Sequence, residues 1–81
     1  QVVLFPNPTH DRFTLQTQAE AELLQIQLLD LHGKQIAAWQ EHTFEGFFEK
    51  EYDLPSGLTS GIYILHVQNG KAISTIRLQK F

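Results

Sequence analysis

The sequence predicts an all-β fold, a small antiparallel β-sandwich. Apolar and polar residues alternate with a period of two through most of the chain, and this alternation is typical of half-buried strands. Segments rich in Gly, Pro, Asn and Asp interrupt the alternating runs at intervals of roughly 8–12 residues, as in a sandwich. About seven short strands fit this pattern, which indicates an immunoglobulin-like architecture. Because 81 residues are enough for one domain only, we expect residues 1–81 to form a single domain.

The first predicted strand, Val2–Phe5, is a short apolar run that stops at a Pro-Asn-Pro segment, residues 6–8. The two prolines fix φ and lack an N–H donor, so this segment is predicted to be a rigid turn or an edge. Residues 12–17 alternate again and form the second strand. Residues 18–22 are interpreted as a connection, because so short a helix-forming stretch is not stable alone.

Residues 23–40 predict a strand, a tight turn and a returning strand. The alternation changes phase at Leu29, which indicates a β-bulge or burial on both faces. Gly33 suits the positive φ of a tight turn, and Asp30 is suited to accept hydrogen bonds from nearby backbone amides. In the returning strand, Trp39 lies on the face opposite to Ile36.

Residues 44–54 predict the next strand, with aromatic residues in one phase and acidic residues in the other. The aromatic phase holds Phe44, Phe48 and Tyr52. Phe47 breaks this rule. The residues that follow, up to Gly61, include a proline and two further glycines and predict a loop.

Residues 61–80 predict a β-hairpin. Asn69 and Gly70 stand between two alternating runs and indicate a two-residue type I′ turn, which needs positive φ at both central positions. With this turn, Tyr63 lies opposite Ile76. The face of the hairpin that is expected in the core carries Tyr63, Leu65, Val67, Ala72, Ile76 and Leu78, with the small Ser74 among them.

The composition excludes several classes of function. The chain has a net charge of −3 and no cysteine, so we expect no nucleic-acid binding, no disulfide framework and no thiolate metal site. Its apolar runs are far shorter than the roughly 20 residues of a membrane-spanning helix, so membrane insertion is not expected. Gln1 is not an initiating residue, and we interpret the chain as a C-terminal module of a longer protein.

No residue pattern indicates catalysis. The four histidines lack the local spacing of metal ligands, and the serines lie outside any nucleophile-elbow sequence. Paired glutamates near the aromatic strand are suited to glycoside hydrolysis, but a solvated strand face explains them more simply. We therefore predict that the chain is not an enzyme and that it holds no metal and no cofactor.

An alternative interpretation is an immunoglobulin-like accessory module of a secreted protein, which binds carbohydrate or separates domains. Aromatic residues make up 11% of the chain, and exposed aromatic rings stack on sugars. Trp39 and Phe47 lie out of phase with their neighbours, so they are the aromatic residues predicted to be exposed. In so small a domain, however, large aromatic residues commonly form the core.

Three motifs follow one another along the chain: FPNPTHDRFTL (residues 5–15), LLDLHGKQI (residues 28–36) and LTSGIYILHVQNGKAISTIRLQK (residues 58–80). In this order and spacing they resemble the type A C-terminal sorting domain of the type IX (Por) secretion system of Bacteroidetes. His10 and Asp11 stand where that family usually has Ser-Gly, so we expect a changed turn type and a retained function.

The resemblance implies a secretion signal. The domain is expected to direct an attached cargo protein from the periplasm across the outer membrane, to the cell surface or the medium. A sortase-like surface protease normally removes the domain as the cargo is attached to anionic lipopolysaccharide. The implied partners are the type IX translocon, this protease and the covalently linked N-terminal cargo domain.

The resemblance also implies which residues carry the signal. The sorting-signal motif in the final hairpin comprises Gly61, Ile62, Tyr63, Leu65, Val67, Gly70, Lys71 and Lys80. The supporting motif comprises Pro6, Asn7, Pro8, Asp30, Gly33 and Lys34. We expect the glycines to set backbone geometry, the apolar residues to hold the sheet together and the lysines of the final hairpin to offer charge to a partner.

Overall fold

The computed structural model describes residues 2–43 and 46–81. All the regular secondary structure assigned in these residues is β-strand. The strands are β1 (Val2–Phe5), β2 (Arg12–Ala19), β3 (Leu23–Leu29), β4 (Gln35–His42), β5 (Gly46–Asp53), β6 (Gly61–Asn69) and β7 (Ala72–Lys80). The all-β prediction with about seven strands is confirmed. β2 continues past its predicted end at Thr17, because Gln18 and Ala19 still pair with β5.

The strands form two antiparallel sheets that pack into a sandwich. One sheet has the order β1-β2-β5 and the other the order β4-β3-β6-β7. In a constant-type immunoglobulin domain the fourth strand belongs to the first sheet, whereas β4 here pairs with β3. The predicted immunoglobulin-like sandwich is confirmed, and this arrangement makes β4 and β7 the two edges of the second sheet.

The core lies between the two sheets and follows the alternation of the strands. Along β6, Tyr63 is almost completely buried, and Leu65 and Val67 are completely buried. The other members of the core are Phe13, Leu15, Leu24, Ile26, Leu28, Tyr52, Leu54 and Leu78. Truncating one such leucine to alanine costs roughly 2–5 kcal/mol, so these side chains serve the stability of the fold.

The β3–β4 hairpin confirms the predicted bulge and turn. The register shifts between Leu28 and Leu29, which leaves Ile36 as the extra residue on β4. Gly33 has a φ of 84°, and its backbone N–H donates to the Asp30 carbonyl at 3.1 Å. The left-handed backbone at this position explains the glycine.

The predicted turn of the last hairpin is wrong by one position. Asn69 pairs with Ala72, so that Gly70 and Lys71 form the turn, and Tyr63 lies opposite Leu78. Gly70 has a φ of 66°, and no described non-glycine residue has a positive φ. Positive φ at the first central position alone is the pattern of a type II′ turn.

The side chain of Asn69 explains this shift. Its Oδ1 accepts a hydrogen bond from the Glu20 backbone N–H at 2.9 Å, and its Nδ2 donates to the Gln18 carbonyl at 2.8 Å. These bonds to the end of β2 and to the start of the β2–β3 connection hold Asn69 in strand β6. Each residue of β6 lies opposite a residue of β7 two positions beyond the predicted one. A shift by two leaves every side chain on its predicted face, although Ala72 is exposed.

The predicted exposure of two aromatic residues is half right. Phe47 is 69% exposed, as predicted. Trp39 instead packs against the core, with its ring centroid 4.9 Å from that of Tyr52 and 6.1 Å from that of Phe13. Trp39 lies opposite the buried Ile26, so it shares the inner face of the sheet. Of the predicted aromatic phase, Tyr52 is buried and Phe48 is partly buried against the core, and position 44 lies outside the described residues.

Polar contacts join the two sheets where β4 approaches β5. The Tyr52 hydroxyl donates to Glu41 Oε2 at 2.9 Å, and Lys50 Nζ contacts the same oxygen at 2.9 Å. Burial of the phenol, together with its hydrogen bond to the Glu41 carboxylate, raises the pKa of Tyr52 well above its ordinary value. Both effects disfavour the phenolate, so Tyr52 stays neutral in the fold.

We predict that the fold loses stability at high pH in part through Tyr52. Its contribution is fully present below the ordinary tyrosine pKa of about 10 and is lost above it, because the unfolded phenol ionises there while the folded one does not. Urea unfolding from about pH 8 to about pH 11 should show a weaker pH dependence for Tyr52→Phe than for the native chain. Parallel curves for the two proteins would contradict this assignment.

Candidate recognition surface

Most of the predicted site residues lie at one end of the sandwich. We call it the distal end, because Val2 pairs with Thr17 at the opposite end of β2. The distal end holds residues 6–11, 30–34, 54–61 and 80–81, which are brought together by the strands that end there. The opposite, proximal end holds Val2, the β2–β3 connection and the turn of Gly70 and Lys71.

The Pro-Asn-Pro segment binds the outer edge of β7. Asn7 Nδ2 donates to the Arg77 carbonyl at 2.7 Å, and Asn7 Oδ1 accepts from the Gln79 N–H at 3.0 Å. The Thr9 N–H donates to the Gln79 carbonyl at 2.9 Å, and the Thr9 carbonyl accepts from the Phe81 N–H at 2.9 Å. The segment therefore runs beside β7 as a short parallel partner.

This contact also closes one side of the sandwich. β1 belongs to the first sheet, but the residues that follow it pair with the last strand of the second. Thr9 is buried at 2% exposure, and its hydroxyl donates to the Arg12 carbonyl. The ring of His10 lies 4.7 Å from that of Phe81. Residues 7–9 lie along a strand edge, which agrees with the predicted edge position of the Pro-Asn-Pro segment; its rigidity stays a prediction.

The turn of residues 30–34 is held by the Asp30 carboxylate. Asp30 Oδ1 accepts from the backbone N–H of His32 at 2.8 Å and from that of Lys34 at 2.9 Å. The Lys34 N–H, followed by that of His32, lowers the pKa of Asp30, because both bonds favour the charged carboxylate. The predicted role of Asp30 is confirmed, and the Lys34 side chain is left exposed at the tip.

Tyr63 forms a hydrogen-bonded corner where the chain enters β6. Its hydroxyl donates to the Thr59 carbonyl at 2.6 Å and lies 3.1 Å from the Thr59 hydroxyl. A tyrosine that bonds backbone a few residues upstream is a known feature of immunoglobulin-like sandwiches. Gly61, with a φ of 149°, leads into this strand. The corner fixes the β5–β6 loop against the sheet.

A cleft lies between the turn of residues 30–34 and the β5–β6 loop. Its lining includes Asp30, Leu31, Ile36, Leu58, Ile62 and Tyr63. Leu31 is 66% exposed, while Ile36, Leu58 and Ile62 are partly buried. The cleft therefore combines apolar side chains with the carboxylate of Asp30, and it joins residues of two of the three motifs.

Other predicted site residues lie elsewhere. Leu65 and Val67 are fully buried, so they hold the sheet and are not available to a partner. Gly70 and Lys71 lie at the proximal end, where the Gly70 backbone approaches Ala21. A Cβ on Gly70 would meet the Ala21 Cβ at 3.5 Å.

Sequence reasoning missed three parts of this arrangement. The tyrosine corner was detectable from Gly61 and Tyr63 at a strand entrance. The bonds of Asn7 to β7 and the contact between Glu41 and Tyr52 had no local signal, because each joins residues that are far apart in the sequence or in different sheets.

No group of three histidine and acidic side chains within residues 2–43 and 46–81 is placed to hold a metal ion. Across the same residues, no helix is long and apolar enough to cross a membrane. The arrangement presents a surface built from turns and strand ends.

We predict that Asn7→Ala destabilises the fold by about 1–3 kcal/mol, because two backbone groups of β7 lose their partner. Urea unfolding measures the change. Gln16→Ala is the matched control: it removes an exposed side-chain bond to Glu49 and should change the stability by less than about 0.5 kcal/mol. Equal effects of the two substitutions would refute the role of Asn7.

Comparison with known proteins agrees with this description. The protein-family model for the secretion system C-terminal sorting domain matches residues 3–80. No curated protein matches the chain. Domains of this family are signals of type IX secretion: they associate with the type IX machinery, follow a cargo on their N-terminal side and accompany a secreted protein that passes the outer membrane. The family is not one of enzymes. The chain belongs to the type IX secretion system C-terminal sorting domain family.

Proposed function

We propose that the chain is the C-terminal domain of a secreted protein and directs the attached cargo from the periplasm to the outer-membrane translocon. A sortase-like protease at the surface then cuts before the domain and joins the cargo to anionic lipopolysaccharide. The match of the family model over residues 3–80 supports the sorting role. The cleavage and the attachment to lipopolysaccharide are the steps implied by the resemblance of the three motifs to this family.

We further propose that the machinery reads the distal end. The observation that carries this proposal is the clustering of the Asn7 segment, the Asp30 turn, the Tyr63 corner and Lys80 at the end away from Val2. A cargo that precedes Val2 leaves the sandwich at the proximal end. The distal end is then the part of the domain farthest from the cargo and open to a partner.

The chemistry of the distal end suits a protein partner. Leu31 is 66% exposed beside the apolar side chains of the cleft, and a buried apolar contact is the usual centre of a protein interface. Lys34 stands at the tip of one turn, and Lys80 ends β7. These two cations of the distal end offer charge to a partner, which favours orientation of the complex more than its affinity.

The proposed function is tested by fusing residues 1–81 to a periplasmic reporter in a host with a working type IX system. We expect the reporter to reach the cell surface or the medium, and to remain in the periplasm of a mutant that lacks the translocon. A reporter that stays in the periplasm of the complete host would overturn the sorting role.

Substitutions at the two ends of the sandwich test which end is read. We predict that Leu31→Ser and Lys34→Ala together reduce export of the fusion at least about tenfold, which is the loss of about 1.4 kcal/mol of binding. Lys71→Ala tests the proximal end, because the resemblance places Lys71 in the sorting-signal motif; recognition of the distal end predicts unchanged export for this variant. All three side chains are exposed, so thermal unfolding should be similar in all variants. Loss of export with Lys71→Ala but not with the distal pair would assign recognition to the proximal turn.

A further inference from the structure

We propose that the uncovered part of the outer edge of β7, residues 73–77, accepts an extended strand from a component of the type IX machinery. This inference rests on the proposed function and names a second contact of the same signal. The occupant is a short extended segment of another protein that extends the four-stranded sheet by backbone hydrogen bonds, as in β-strand addition.

The bonds to Asn7 and Thr9 show which backbone groups of β7 face outward. The Arg77 carbonyl and both backbone groups of Gln79 point to the Asn7–Thr9 segment and not to β6. Successive residues of an antiparallel strand point their backbone groups to alternate sides. Ile73 and Thr75 therefore present their N–H and C=O groups on this same outer edge.

Residues 7–9 cover only the last part of that edge. Among the described residues, the hydrogen bonds on the outer side of β7 involve the Arg77 carbonyl, Gln79 and the N–H of Phe81. Within the described chain, β7 has β6 as its neighbour in the sheet, and no segment pairs with the outer side of Ile73 and Thr75. The open stretch from Ile73 to Arg77 is roughly 13 Å long at 3.3 Å per residue.

Most of this stretch lacks the devices by which proteins block strand edges. Residues 73–76 read Ile-Ser-Thr-Ile, without charge or proline, and their pairing with β6 has no bulge. The charged Arg77 stands at the covered end of the stretch, where Asn7 bonds its carbonyl. Charged residues, prolines, bulges and short length normally prevent pairing at an edge. Ile73 is 64% exposed beside the open groups, so it offers an apolar contact to an added strand.

The other edges of the sandwich carry such devices. β5 presents a charged row, β1 has four residues, and β4 contains the bulge at Ile36. The β7 edge is thus the described edge best suited to strand addition, and its occupant needs an uncharged, extended backbone of about five residues.

Proline at position 75 tests the proposal. Thr75→Pro removes an outward N–H and leaves the bonds to β6 intact, a position where edge strands tolerate proline. Ala38→Pro is the matched control. Across the sheet, Thr75 pairs with His66, His66 with Gln27, and Gln27 with Ala38. Because backbone groups alternate in direction at each of these pairs, the Ala38 N–H also points outward, on the edge of β4. Both variants are made in the reporter fusion, and folding is checked by circular dichroism and thermal unfolding.

We expect Thr75→Pro to lower export at least about tenfold, with Ala38→Pro exporting like the unmodified fusion. If Thr75→Pro does not fold, Ile73→Lys replaces it, since an edge lysine opposes pairing, with Ile73→Val as its control. Export of the folded edge variant at the normal level overturns this inference alone, whereas periplasmic retention of the unmodified fusion overturns the proposed function. Sedimentation that shows a dimer of the purified domain, abolished by Thr75→Pro while export persists, would assign the edge to a second copy instead.

Discussion

The pairing of residues 7–9 with the outer edge of β7 is the contact on which the rest of the structure depends. The side chain of Asn7 bonds backbone groups 70 and 72 residues away in the sequence. A domain of this size buries only about 60–65% of the surface of its unfolded chain, so its two sheets need more than core packing to stay aligned. This pairing joins them on one side, and the contact of Glu41 with Tyr52 joins β4 to β5.

The residues that carry the family resemblance mostly build the fold, and this follows from what a folded signal requires. A partner can read a surface only if its turns keep one conformation. Asp30 and Tyr63 each hold one loop of the distal end through bonds to backbone groups. The side chains left for recognition are their neighbours, such as Leu31 and Lys34, which stand exposed on turns that other residues have fixed.

Local predictions were accurate where a single segment contains all the interacting groups. The bulge near Leu29 and the turn held by Asp30 were both expected, since their causes lie within a few residues. The hairpin turn at Asn69 was misplaced, although Asn-Gly is a strong local signal. Its side chain bonds the end of β2 and the residue that follows β2 instead, and a contact between distant segments outweighed the local preference.

The alternation of apolar residues and the spacing of turns were sufficient to establish a seven-stranded sandwich, because each strand shows its two faces in its own residues. The ordered motifs were sufficient to indicate the family. The fold alone placed Trp39 against the core, separated Lys71 from the distal end, and brought residues 7–9 against the last part of the β7 edge. These features depend on which segments meet in space, and no local pattern in the chain encodes such meetings.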